Sequence, residues 1–206
     1  MGMKLDHFAV SSPDLDAAAI HFEQLSGVRP EPGGSHPGQG TRNALVSLGP
    51  DIYLALDGPD PEQPLIDNNG ARMASQEGSE LFLFAVATDD LDHSAKVLSD
   101  FGVMTRRIAG SRQTRTGRIL AWEYLEAAPS VFGRAMPHIA TWKTLNHPAA
   151  EAPKGCRLSS FEVFHPEADH VEKLYQALGL DIKVVRHAQI ALRLTLNGTK
   201  GEFRLE

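Results

Sequence analysis

Apolar positions along the chain fall into three stretches that share one plan. Each opens on a short strand-like run: Leu5, His7, Phe8, Ala9 and Val10, then Leu81 to Val86, then Leu158, Phe161, Val163 and Phe164. A polar cluster follows each run, at Ser12-Pro13-Asp14, at Asp89-Asp90 and at His165-Pro166-Glu167. Its side-chain oxygens and acidic charge favour a helix start. Apolar residues then recur three to four apart, as at Leu15, Ala18, Ala19, Phe22 and Leu25, or at Val171, Leu174, Tyr175 and Leu178. That spacing builds one buried helical face. Gly27, Gly102 and Gly179 close the three periodic stretches, and suit the left-handed position that ends a helix.

The repeat distance is nearly constant. Val10 to Val86 is 76 residues and Val86 to Val163 is 77; Gly27 to Gly102 is 75 and Gly102 to Gly179 is 77. After each glycine come further strand-like runs, at 44–48 and 52–56, at 103–109, 118–125 and 137–142, and at 182–186, 190–196 and 202–205. Asn197-Gly198 marks a hairpin turn. The pattern predicts an α+β chain of tandem βαβββ modules at 4–61 and 80–145, with a third, shorter βαβββ-like repeat at 156–206. Two Pro- and Gly-bearing segments, 62–79 and 146–155, read as linkers, the first with room for one short helix.

Composition narrows the function classes. The chain has 206 residues, 42% of them hydrophobic, enough for a sizeable core without disulfide or metal staples. A net charge of −6 opposes a broad grip on nucleic acid or an anionic membrane. No apolar run approaches the roughly 20 residues of a membrane helix. The single cysteine, Cys156, cannot form an internal disulfide, and Met1 to Lys4 lead straight into patterned sequence without an export layout. The chain therefore reads as a cytoplasmic, bacterial-style protein.

The candidate chemistry is carried mainly by histidines. His7 lies on the first predicted strand, as either a hydrogen-bonded structural residue or a cleft-facing group. His36 sits in the Gly-rich segment Gly33-Gly34-Ser35-His36-Pro37-Gly38-Gln39-Gly40, which reads as a surface loop or as a loop folded over a cleft mouth. In the second case it carries Thr41 and Asn43 toward a ligand. His138 is either a buried structural histidine or an acid–base group. Trp122 and Trp142 suit a core or the wall of an apolar pocket. Five arginines, at 106, 107, 112, 115 and 118, form either a solvated hairpin or a source of one ligand-pairing guanidinium, with Arg118 beside the Trp122 strand the candidate.

Leu5-Asp6-His7, the segment from His36 to Leu45, Tyr53-Leu54, Asp60-Pro61, Gly117 with Leu120 and Trp122, Pro137 with Trp142, and His147-Pro148 together carry a family resemblance. They resemble the glyoxalase-like family of the vicinal-oxygen-chelate superfamily, which includes glyoxalase I, bleomycin-resistance proteins and extradiol dioxygenases. The resemblance implies paired βαβββ modules whose curved mixed sheets enclose a cleft, and exposed sheet edges through which two copies could pair as a homodimer. It also implies a divalent metal held by the first and fourth strands of two modules. Carried over position by position, those sites are His7, Ala55, Leu83 and Thr141. Only His7 is a good donor, whereas a divalent ion wants three or more. The expectation is thus a small-molecule cleft without the usual metal or any other cofactor, taking a small organic ligand, an anionic one among the candidates. Two alternatives stand beside it. One is a lyase- or dioxygenase-type enzyme whose rearranged His7, His36 and His138 site holds zinc, iron, manganese or nickel. The other is a non-catalytic structural or interaction module.

Overall fold

The computed structural model describes residues 3–114, 117–145 and 147–206. Arg115, one of the five clustered arginines, lies outside the described residues. β1 (Lys4–Ser11) leads into α1 (Leu15–Ser26), which starts where the Asp14 carboxylate accepts the Ala17 N–H at 3.0 Å. It stops at Gly27, whose φ of 75° permits the left-handed turn. β2 (Glu31–His36), β3 (Thr41–Gly49) and β4 (Ile52–Pro59) complete the first unit. A short α2 (Asn69–Ala74) follows. The second unit is β5 (Glu80–Ala87), α3 (Leu91–Asp100), β6 (Thr105–Gln113), β7 (Ile119–Ala127) and β8 (His138–Trp142).

These eight strands form one curled mixed sheet in the order β2-β3-β4-β1-β5-β8-β7-β6, a half-barrel of two mirrored halves joined by the antiparallel β1–β5 pair. In each half the first strand lies parallel to the last: β1 beside β4, and β5 beside β8. The third unit is β9 (Arg157–His165), α4 (Ala168–Leu178), β10 (Lys183–Arg186), β11 (Ala191–Gly198) and β12 (Gly201–Leu205). Its element order repeats that of the others but its pairing does not. β9 sits between β10 and β11, in a separate four-stranded sheet β10-β9-β11-β12.

The core lies on the convex side of the half-barrel. Phe8, Val10, Leu54, Leu56, Phe84 and Val86 face α1, α3 and the third unit. Phe161 of β9 wedges between Phe8 and Phe84 at ring distances of 4.8 and 4.9 Å. Tyr175 of α4 meets Phe84 edge-on, and its hydroxyl donates to the Ala135 carbonyl at 2.5 Å. Val171, Leu174 and Leu178 are buried with it, as the helical spacing predicted, and Cys156 is buried too. Among the described residues no helix is long and apolar enough to cross a membrane.

The Gly-rich segment is not wholly a loop: residues 31–36 are a strand at the sheet edge. Nothing in Glu-Pro-Gly-Gly-Ser-His favours a strand, but an edge tolerates proline because one side of it needs no ladder bond. Pro32 pairs with Ala44 and Gly34 with Asn43, leaving Gly33 as the bulged residue. A Cβ at Gly33 would run into Asn43 Oδ1 and the Leu45 side chain, so glycine is what lets this edge lie down on β3.

Candidate active site

Strand alternation alone sends one side chain to each face in turn. On β4 this places Tyr53, Ala55 and Asp57 on the concave face and Leu54 and Leu56 in the core. On β8 it places His138, Ala140 and Trp142 on the concave face and Ile139 in the core. β1 breaks the rule. Leu5 pairs with Val86 and His7 with Ala85, so Asp6 is an extra residue bulged out of the ladder. The bulge turns consecutive side chains, Asp6 and His7, toward each other. His7 Nδ1 donates to Asp6 Oδ2 at 2.6 Å.

Asp6, only 2% exposed, is the anchor of this end of the trough. Its other oxygen accepts from Trp142 Nε1 at 2.8 Å and from His147 Nε2 at 3.0 Å. His147 Nδ1 in turn accepts the Ala149 N–H at 3.2 Å, which fixes that ring with its proton on Nε2. Burial by itself would raise the Asp6 pKa; hydrogen bonds from His147, His7 and Trp142 outweigh it and hold the carboxyl well below the usual carboxylate range. An ionised Asp6 keeps the His7 proton on Nδ1 and leaves Nε2 to the cavity, the orientation a carboxylate gives a catalytic imidazole. His7 also stacks on Tyr53, with centroids 4.7 Å apart and planes 17° from parallel. Burial pushes the Tyr53 phenol well above its ordinary value.

His147 lies in the stretch 146–155, expected to be a linker. In the structure 147–153 crosses the concave face, burying Ala149 and Ala152 against Leu45, Tyr53 and Ala55. It is pinned by the Ser47 N–H donating to the Pro153 carbonyl at 2.9 Å. It stops one end of the trough.

What remains open is a cavity of about 180 Å³ with an alanine floor (Ala9, Ala55, Ala85, Ala140) and aromatic walls (Tyr53, Trp122, Tyr124, Trp142). Trp122 lies directly over Gly110 on β6, where any Cβ would meet the indole. The two tryptophans meet at 64° with centroids 5.7 Å apart. The cavity continues outward, past His36, Asp57 and His138, into a shallow groove of about 940 Å³.

His7, His36, Asn43, His138, Trp122 and Trp142 all line the inner cavity, together with Asp57 and Arg112. Thr41 does not, but its hydroxyl lies 2.9 Å from His36 Nδ1. Asn43 Nδ2 donates to His36 Nε2 at 3.3 Å, so both His36 nitrogens are occupied within the β2–β3 hairpin. Burial first, then the charges of Arg112 and His7, lower the His36 pKa to about 4, which keeps the ring neutral and able to accept. His138 stacks parallel to Tyr124 at 6.1 Å. Its protein surroundings, and then His7, pull its pKa to about 4, although its ring is exposed to the cavity and water there offsets part of that penalty.

The structure does not bring Arg118 to this cavity. It lines a neighbouring space of about 380 Å³ and pairs with Glu151. The arginine in the site is Arg112, which lines both spaces and donates to the Gly33 carbonyl, stitching the edge strands β6 and β2 together. Nor does Thr141 face the cavity. Its hydroxyl donates to the Thr88 carbonyl, and its neighbours Ala140 and Trp142 line the trough. The four positions that would hold a metal therefore supply one imidazole, two aliphatic side chains and an averted hydroxyl. Among the described residues no three of His, Cys, Asp and Glu gather as an ion would need. These residues do not fit a divalent metal at that place.

Asp57, Tyr53, Tyr124 and Arg112 of the cavity, with Asp6 and His147 behind it, are the site groups that sequence reasoning did not assign. Arg112 was visible as one of five clustered arginines. Asp6 and His147 were visible only as neighbours of His7 and Pro148.

A half-barrel of two mirrored four-strand halves around a concave cavity is the vicinal-oxygen-chelate fold. The model of the glyoxalase-like domain family matches residues 5–179, and the chain belongs to that family. Among solved structures, a hypothetical protein from Staphylococcus aureus superposes with a TM-score of 0.65 at 16% identity, covering 99% of this chain and 86% of that one. Methylmalonyl-CoA epimerase from Mycobacterium tuberculosis gives 0.46 at 20%, covering 71% and 91%. The Streptomyces coelicolor epimerase in complex with 2-nitronate-propionyl-CoA gives 0.46 at 21%, covering 70% and 96%. No curated protein matches the chain in sequence.

Proposed function

We propose that the concave cavity binds one small organic molecule and moves a proton on it without a metal, His7 Nε2 acting as the base that Asp6 orients. The observation that carries this reading is the bulge at Asp6. A bulge beside a site re-aims a side chain, and here it builds a carboxylate–imidazole pair whose free nitrogen opens on an alanine- and aromatic-lined space. His36 and Thr41 hold the β2–β3 wall in place. His138 and Tyr124 form the opposite wall.

Both tryptophans of the chain line this cavity, so intrinsic fluorescence reports on it directly. A panel of small carbonyl and carboxylic compounds is expected to include members that change the emission. Those members should exchange an acidic C–H for deuterium in heavy water, followed by proton NMR. His7→Ala is expected to slow that exchange roughly 10²- to 10⁴-fold, the usual worth of a positioned general base, while the fluorescence response persists. If binding persists and exchange is equal in the two proteins, the cavity sequesters its ligand without chemistry, a role that its apolar floor and aromatic walls also suit.

One equivalent of zinc, iron(II), manganese or nickel is expected to leave Tm and ligand response unchanged. An ion retained at one per chain and released by His7→Ala would overturn the metal-free reading.

A further inference from the structure

Two opposite charges face the inner cavity without satisfying each other. Arg112 is 8% exposed, yet among the described residues its one hydrogen bond is the donation to the Gly33 carbonyl, and it forms no ion pair with any described carboxylate. A guanidinium has five N–H donors, and a buried cation without a counter-ion is costly. Across the trough Asp57, to which Asn43 gives a side-chain hydrogen bond, keeps a buried Oδ1 with no partner among the described residues. Its cross-strand neighbour Asn43, 7% exposed, likewise keeps a buried Oδ1 without a partner. One side of the cavity therefore offers unused donors in a planar fork, and the other offers unused acceptors.

We propose that the ligand is a small hydroxycarboxylic acid, its carboxylate taken by the Arg112 fork and its hydroxyl donated to Asp57. This rests on the reading that the cavity binds a small organic molecule, and it names the class of molecule. A guanidinium matches a carboxylate with two parallel bonds. The group facing Asp57 must donate. A neutral hydroxyl serves better than an ammonium, because the protonatable His7 already acts on Asp57 and the Arg112 guanidinium faces it across the trough. Burial raises the Asp57 pKa to about 6, against the opposing pull of His7, Asn43 and Arg112, so at neutral pH it is an ionised acceptor. Between the two polar groups the alanine floor and the indole walls accept a flat apolar body. A cavity of about 150 Å³ holds a benzene ring, so about 180 Å³ suits one ring with small substituents.

The test is calorimetric titration of the full chain with benzoate, 3-hydroxybenzoate and phenol. Arg112 also stitches β6 to β2, so Arg112→Lys, which keeps the charge and the stem, is measured beside Arg112→Gln, with Tm as the control for folding. The wild-type protein is expected to bind 3-hydroxybenzoate more tightly than benzoate or phenol. Arg112→Lys should weaken both acids roughly ten- to hundredfold, the worth of a charged hydrogen-bond pair, and leave phenol unchanged. Asp57→Asn should weaken 3-hydroxybenzoate roughly tenfold without weakening benzoate.

Acids that bind equally in the wild-type and Arg112 variants overturn the proposal, as does a loss for phenol that matches the loss for the acids. Phenol binding with neither acid binding also overturns it, but leaves the small-molecule reading standing. If all three probes fail and the wider fluorescence panel is silent too, both readings fall.

Discussion

Asp6→Asn is expected to lower stability by about 3 kcal/mol. The carboxylate satisfies three donors, His7 Nδ1, Trp142 Nε1 and His147 Nε2. An amide has one acceptor oxygen and two donors of its own, so at least one buried N–H would face another N–H. Each unsatisfied buried group costs about 1–3 kcal/mol. For a chain of this size that is a fall in Tm of roughly 6–12 °C, measurable by calorimetry. Proton exchange at His7 should fall as well, since the ring loses the partner that fixes its tautomer. A variant as stable as the parent would show that the three donors find other acceptors.

The pH dependence of stability follows from the same groups with different signs. The folded pKa of Asp6 lies below its ordinary 3.8, so its contribution is complete above that pH and is lost as pH falls below it. His36 titrates at about 4 in the folded chain against 6.5 when free, so the unfolded chain gains protons first and stability falls from pH 6.5 to 4. Asp57 is raised from 3.8 to about 6, so its contribution is present below 3.8 and is lost as pH rises through 6. Between pH 4 and 6 Asp57 opposes His36, and His138, also lowered to about 4, adds to the His36 side with a share that its exposure to water reduces. The steep loss is therefore expected below about pH 4, and Asp6→Asn should flatten it.

Phe84→Ala is expected to cost about 3–5 kcal/mol, the range for deleting a fully buried aromatic ring. Phe84 is 0% exposed and touches both Phe161 and Tyr175, so the cavity would open at the seam between the half-barrel and the third unit. Both tryptophans lie in the trough, whereas far-ultraviolet circular dichroism reports on every element. The seam is apolar and continuous with the main core, so the two signals should give one coincident unfolding transition in the parent protein. In Phe84→Ala both midpoints should drop together. A third unit melting ahead of the trough would show that the seam does not couple them.

Much of the fold was legible along the chain. Helix faces such as Val171, Leu174, Tyr175 and Leu178 announce themselves because a 3.6-residue period and the residues that cap it are local. The threefold spacing of strand, cap, helix and glycine is local in the same way. His7, Asn43, His138 and the two tryptophans were legible only as candidates, each with a structural alternative left open; it is the alternation of the folded strands that turns them toward one cavity.

Only the tertiary structure decided the rest, and in each case the cause is a partner distant in sequence. Asp6 joins His7 because pairing with β5 forces a bulge that no strand shows by itself. Residues 31–36 are a strand because β3 offers them a ladder, against their own composition. The third unit repeats the element order but not the pairing, since its inner face has to meet Phe8 and Phe84. Of five neighbouring arginines, Arg112 enters the cavity and Arg118 turns to Glu151, a choice set by where β6 meets β2. Local periodicity determined which elements form and which faces are apolar; register and strand order, which are long-range, determined which polar groups meet.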